Sequence, residues 1–183
     1  MKGVLKSFLL SPSLYADDVA GISDECIRRH GEQEWRAVLL TNEIHGHLGI
    51  YSTIGAKMGV RAMELLRGEG IEGEISVLSY AGSVPPVSCL NDGLQVSTGA
   101  SMGHGLFALS SSEETAVKAV FSASGTSLTL RLKPEYEDII KSDITKGIAL
   151  HGHSPAYWDY VRKLALSYWL DWDRSKILIF SFC

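Results

Sequence analysis

Cysteine is scarce in this chain, with 3 in 183 residues. They stand far apart, at Cys26, Cys89 and Cys183, and their number is odd. That excludes a disulfide framework as the organising device and favours a reducing compartment. Long apolar runs are missing too, since none approaches the roughly 18 residues that a membrane span needs. There is no excess of positive charge: 17 Lys and Arg against 21 Asp and Glu leave a formal net charge of −4, so a nucleic-acid footprint is not expected. The opening stretch "MKGVLKSFLLSPSLYADDVAG" loosely imitates a secretory leader, but Ser11-Pro12-Ser13 interrupts its apolar run. A soluble cytoplasmic protein follows as the expectation, with neither nucleic acid nor membrane as partner.

What is present suits one domain over residues 1–183. The 45% hydrophobic and 21% charged content is that of a globular chain able to bury a core. A helix is expected from Asp24, with Ser23 as N-cap and Ile22 and Ile27 as a hydrophobic staple, ending at His30-Gly31. A second helical stretch, "EQEWRAVLLTNEI", carries Trp35, Val38, Leu39 and Asn42. The longest helix is expected over 48–67. Gly49, Ser52, Gly55, Ala56, Gly59 and Ala62 recur there at spacings of three or four, so one Gly/Ala-rich stripe is nearly bare of side chain. Each helical glycine costs about 1 kcal/mol relative to alanine, so a helix, a second protomer or a ligand must pack close to that backbone.

"EISVLSYAG", "LFALS", "AVKAVFSAS" and "SLTLRLK" read as strands, the last with Leu128, Leu130 and Leu132 alternating against polar residues. "SASGTS" turns the third and fourth of these runs into a hairpin. "PEYEDIIKSDI" reads as a short helix. Ser154-Pro155 then starts an aromatic helix over about 154–172, and "KILIFSF" closes the chain as a strand or an apolar tail. The class is α+β, an antiparallel or mixed sheet covered by helices.

Two motifs could carry chemistry. "HGH" at His45-Gly46-His47 precedes the long helix, and His151-Gly152-His153 precedes the aromatic one. At i and i+2 on a helix, two side chains point about 200° apart, whereas an extended segment sends both to one face, a geometry metals use. Surface histidines are the competing reading. Cys89 follows the rigid loop "SVPPVS" at the start of a helical turn, where a thiolate is stabilised as ligand or nucleophile; alternatively it is a small buried hydrophobe. Asp92, three residues on, could orient a histidine, accept a proton or cap and solvate. His104 sits in the glycine-rich "STGASMGHG", which matches neither a P-loop nor a dinucleotide fingerprint. Asp92 and His104 are the candidates for proton transfer.

"IHGHLG", the small-residue helix after it, "EISVLSYAG" and then "SCLNDGLQVSTGASMGHG" resemble, in that order, the FmdE family of molybdenum or tungsten formylmethanofuran dehydrogenase. The resemblance is concentrated in residues 44–133. It implies an α+β fold, a homodimer and a metal site on His45, His47 and Cys89; His151 and His153, which repeat the HxH spacing, are further ligand candidates on their own pattern alone. The implied cofactor is a transition-metal ion, zinc ahead of nickel or iron, and the implied role is accessory to a partner metalloenzyme or to metal handling. A metal-dependent enzyme using an activated water is the alternative. The chain departs from the family where Cys-Pro-Gly commonly follows HGHL, because here Gly49-Ile50-Tyr51 follows Leu48. It also lacks a CxxC pair toward the C-terminus.

Overall fold

The structure is a computed structural model that describes residues 11–112, 115–152 and 154–183. The leader-like run of residues 1–10 and the candidate His153 lie outside the described residues. Among those described, eight α-helices accompany a five-stranded mixed sheet, so the α+β class holds.

The chain enters through α1 (Asp17–Ala20), α2 (Ser23–His30) and α3 (Glu32–His45). Ser23 is not the N-cap of α2 but its first residue, so the helix starts one place earlier than expected, with Ile22 as its N-cap. The Ser23 hydroxyl donates to the Ala20 carbonyl at 2.8 Å, serving the preceding turn instead. Gly31 ends α2 with a φ of 86°, a conformation that a side chain disfavours.

Helix α4 (Ile50–Gly68) starts two residues later than expected, with Gly49 as its N-cap. Every residue from Ile50 to Val60 is buried, so this is the central helix and is covered on all sides. What lies against its glycines is α5 (Leu90–Thr98) of the same chain. A Cβ on Gly55 would fall 2.2 Å from the Leu90 carbonyl oxygen, and one on Gly93 would fall 2.3 Å from both the Ala56 nitrogen and the Ser52 oxygen. Gly59 likewise faces Ser97. The close approach demanded by the spacing is thus between two helices of one chain.

The sheet runs in the order β2-β1-β3-β4-β5, formed by β1 (Ser76–Ser79), β2 (Phe107–Leu109), β3 (Lys118–Ala123), β4 (Thr126–Leu132) and β5 (Leu178–Phe182). β1 and β2 are parallel, with α5 between them in sequence; the other pairings are antiparallel. The β3–β4 hairpin is the one expected. Leu128, Leu130 and Leu132 are fully buried on its inner face. Each such leucine contributes roughly 2 kcal/mol of hydrophobic stabilisation.

Helix α6 (Pro134–His151) is longer than the expected stretch over 134–144. α7 (Pro155–Asp171) begins at the Ser154-Pro155 signal, although the Ser154 hydroxyl makes no capping bond. The short α8 (Arg174–Ile177) leads into β5. Trp169 of α7 stacks on Trp35 of α3 with ring centres 4.3 Å apart. Beside them, the buried Lys57 ammonium donates to Glu34 Oε1 at 2.6 Å and to the carbonyls of Trp169 and Trp172 at 2.9 and 2.7 Å. These contacts lock the start of α3 to α4 and to the end of α7.

Candidate metal centre

His45 is the last residue of α3, and Gly46 is its C-cap in the left-handed region, with a φ of 83°. The extended geometry expected for the HGH motif is therefore not what forms. A helix end followed by a left-handed glycine reverses the chain instead, and this turn brings the two imidazoles together with ring centres 4.4 Å apart. Gly46 is the residue type that such a C-cap requires.

Asn42, one turn before His45, holds the returning chain. Its side-chain oxygen accepts from the Gly49 N–H at 2.9 Å and from the Ser52 hydroxyl at 2.8 Å. Its amide donates to the Val38 carbonyl at 2.8 Å and the Thr53 hydroxyl at 3.3 Å. A buried asparagine inside a helix is a polar group that must find partners, and here they are the backbone and hydroxyls next to the site. Gly49 leaves room for the ring, since a Cβ there would lie 3.1 Å from His45 Nε2.

On the other side stands α5. Cys89 is its N-cap, after a short 3-10 turn (Val87–Cys89) and the cis Pro85–Pro86 bond. Asp92, in the first turn of α5, places Oδ2 2.7 Å from His45 Nδ1. An ionised carboxylate only accepts, so Nδ1 donates and the free lone pair of the neutral ring lies on Nε2. That Nε2 is buried and has no hydrogen-bond partner. A carboxylate behind one ring nitrogen and an unpartnered second nitrogen is the arrangement found behind metal-bound histidines.

His45, His47 and Cys89 line one cavity of about 320 Å³, so the structure gathers the three residues that the sequence singled out. The remaining wall includes Pro85, Pro86, Tyr51, Ile144, Tyr157 and Trp158. Trp158 meets His47 edge-on at 5.5 Å. The wall from α6 and α7 was not anticipated. No local signal marks Ile144 or Tyr157 for a site whose histidines stand about a hundred positions upstream, although Tyr157 and Trp158 fall within the aromatic helix expected over about 154–172.

Burial pushes the His47 imidazole below its usual pKa, with a smaller push from His45, and so favours the neutral, ligating form. Cys89 behaves otherwise than expected. Burial first, and then the Asp92 carboxylate, raise its thiol above the ordinary value, outweighing the stabilisation expected at a helix start. Unassisted, the thiol stays protonated, and a cation in the cavity is what would favour its ionisation. Among the described residues, no three His, Cys, Asp or Glu side chains stand close enough together to hold a metal ion. The donor types, the shared cavity and the orphaned Nε2 nevertheless fit a transition metal.

The other candidates lie apart. His104 ends an exposed 3-10 turn (Met102–His104) beyond the far end of α5 and is not among the cavity residues. His151 ends α6, its ring 5.7 Å from that of Tyr160, and does not line the cavity either.

The chain belongs to the FmdE family, described as "FmdE, Molybdenum formylmethanofuran dehydrogenase operon", which matches residues 44–171. The match begins one residue before His45 and runs to the end of α7, so it spans every residue named above as lining the cavity. It extends well past the 44–133 segment in which the resemblance is concentrated. No curated protein matches the chain.

Proposed function

We propose that this FmdE-family protein binds a transition-metal ion, most readily Zn²⁺, through His45, His47 and Cys89, and serves metal handling or a partner metalloenzyme. Nickel and iron are the alternatives to zinc, and a cytoplasmic homodimer is the form expected. The observation that carries the reading is His45, whose Nδ1 is held by Asp92 while its buried Nε2 lacks a partner. Leaving a buried polar atom unsatisfied costs about 1–3 kcal/mol, which an ion on Nε2 removes. Mixed imidazole and thiolate donors suit zinc. On this reading, rotation of His47 and Cys89 toward His45 accompanies ion uptake, and binding releases the Cys89 proton.

A second reading, a metal-dependent enzyme, is favoured by the room left beside these donors. A cavity of about 320 Å³ with an apolar wall can hold a small organic molecule. A bound metal would supply Lewis acidity there. Asp92 would fix the His45 ring, and Tyr51, Ile144, Tyr157 and Trp158 would exclude water from the bound molecule. His104, being exposed and off the cavity, would not act as the proton carrier.

Elemental analysis of tag-free protein tests the proposal. Near-stoichiometric metal, lost in both His45→Ala/His47→Ala and Cys89→Ala, is the expected result. Metal retained in Cys89→Ala would remove the thiol from the set. No metal after reconstitution with Zn²⁺, Ni²⁺ or Fe²⁺ would overturn the reading.

A further inference from the structure

One edge of the sheet is β2, only three residues long; the other is β5, with five. Natural sheets protect their edges with short strands, lysine, proline, bulges or inward charges. β2 has the first protection. β5, "LIFSF", has none of the others, and Ile179, Phe180 and Phe182 are 47%, 50% and 37% exposed.

The hydrogen-bond alternation shows what this edge offers. Cys183 and Ser127 exchange both main-chain bonds, so in β5 the residues at 179, 181 and 183 turn their N–H and C=O toward β4. Phe180 and Phe182 therefore turn theirs outward, and among the described residues these groups have no partner. Their side chains lie on the same face as Leu130 and Leu128, directly opposite them on β4, and so continue the core face past the end of its cover. By the same alternation the main-chain groups of Leu178 turn away from β4, but the residue is 4% exposed and closed to a partner.

We propose that β5 pairs with β5 of a second copy of this chain, antiparallel and centred on Ser181, joining the two sheets into one of twice the width. Only a register centred there lets each Phe180 exchange its main-chain bonds with the partner's Phe182 while leaving the closed Leu178 outside. A strand pairing with itself about a two-fold axis makes a closed dimer, not a filament. β5 carries no charge, so no like-charged side chains oppose one another across the axis. Phe180 and Phe182 of the two copies become cross-strand neighbours and leave water. This is the surface of the homodimer expected above, and it rests on that expectation.

Sedimentation velocity on the full chain, with and without Phe180→Pro, tests it. Proline removes an outward N–H and no bond to β4, so a fold-preserving change that raises the dimer Kd by about tenfold or more is expected. Cross-linking supplies a readout that does not depend on that variant folding. Ser181→Cys with Cys183→Ser places two sulfurs across a non-hydrogen-bonded pair, with Cα atoms about 4.5 Å apart. Oxidised glutathione should link it into a covalent dimer, while Ile179→Cys with Cys183→Ser should stay unlinked. A dimer that neither links at 181 nor responds to proline would overturn the surface and leave the homodimer standing. A monomer throughout the micromolar range would overturn both.

Discussion

Asp92 Oδ2 and His45 Nδ1 meet at 2.7 Å across 47 positions of sequence, one from the first turn of α5 and the other from the last residue of α3. The carboxylate fixes both the tautomer and the plane of the ring. Asp92→Asn should keep the fold and weaken metal affinity about 10- to 100-fold. Competition against a chromogenic chelator measures this directly, and unchanged affinity would sever Asp92 from the centre.

Gly93→Ala tests the helix contact on which this geometry depends. Its Cβ would press into the backbone of α4, 2.3 Å from the Ala56 nitrogen, and backbone cannot rotate away. A loss of about 1–3 kcal/mol in urea unfolding is expected, from overpacking. Gly68→Ala, with nothing within 4 Å of the new Cβ, should be neutral or slightly stabilising in the same assay.

Lys57→Met should cost about 3–5 kcal/mol, because it removes a buried cation from Glu34 and from two main-chain carbonyls. Arg174 also reaches Glu34, at 2.9 Å, and keeps the carboxylate from being left wholly unpaired. The loss should therefore fall toward the lower end. Chemical denaturation at neutral pH measures it.

The bidentate tie of Arg162 to Asp18, with both bonds at 2.7 Å, fastens α1 to α7. Hydrogen bonding from Arg162 holds the Asp18 carboxyl below its ordinary 3.8, against the opposing effect of burial. Because the folded value is the lower one, the contribution is present above pH 3.8 and is lost as pH falls through the lowered value. Both side chains are partly exposed, so it is worth at most about 1 kcal/mol. Asp18→Asn should be less stable than the parent at neutral pH, and the difference should vanish in strong acid. A difference that persists there would assign it to packing.

The local features legible in the sequence are those written in short-range chemistry. Alternating leucines marked β4, Ser154-Pro155 marked the start of α7, and glycines three and four apart required a close neighbour for α4. The HGH motif and Cys89 were visible as donors because few residue types can ligate a soft metal. The family was legible as well, since its motifs lie in a fixed order along one chain. Ser23 was misplaced by one residue because its hydroxyl serves the turn before it, a choice that depends on α1.

The sequence by itself determined helices α2, α3, α4 and α7, the hairpin and the kinds of atom available for chemistry, because period, propensity and donor type are local properties. Tertiary structure alone decided that α5 is what fills the bare stripe of α4, that Asp92 stands behind His45, and that Ile144, Tyr157 and Trp158 wall the cavity. It also reversed the expected geometry of the histidine pair, with a helix end and a left-handed Gly46 replacing an extended segment. Burial then outweighed the helix start at Cys89 and raised its thiol. Burial, proximity and the field at an atom depend on residues distant in sequence, so no local pattern could carry them.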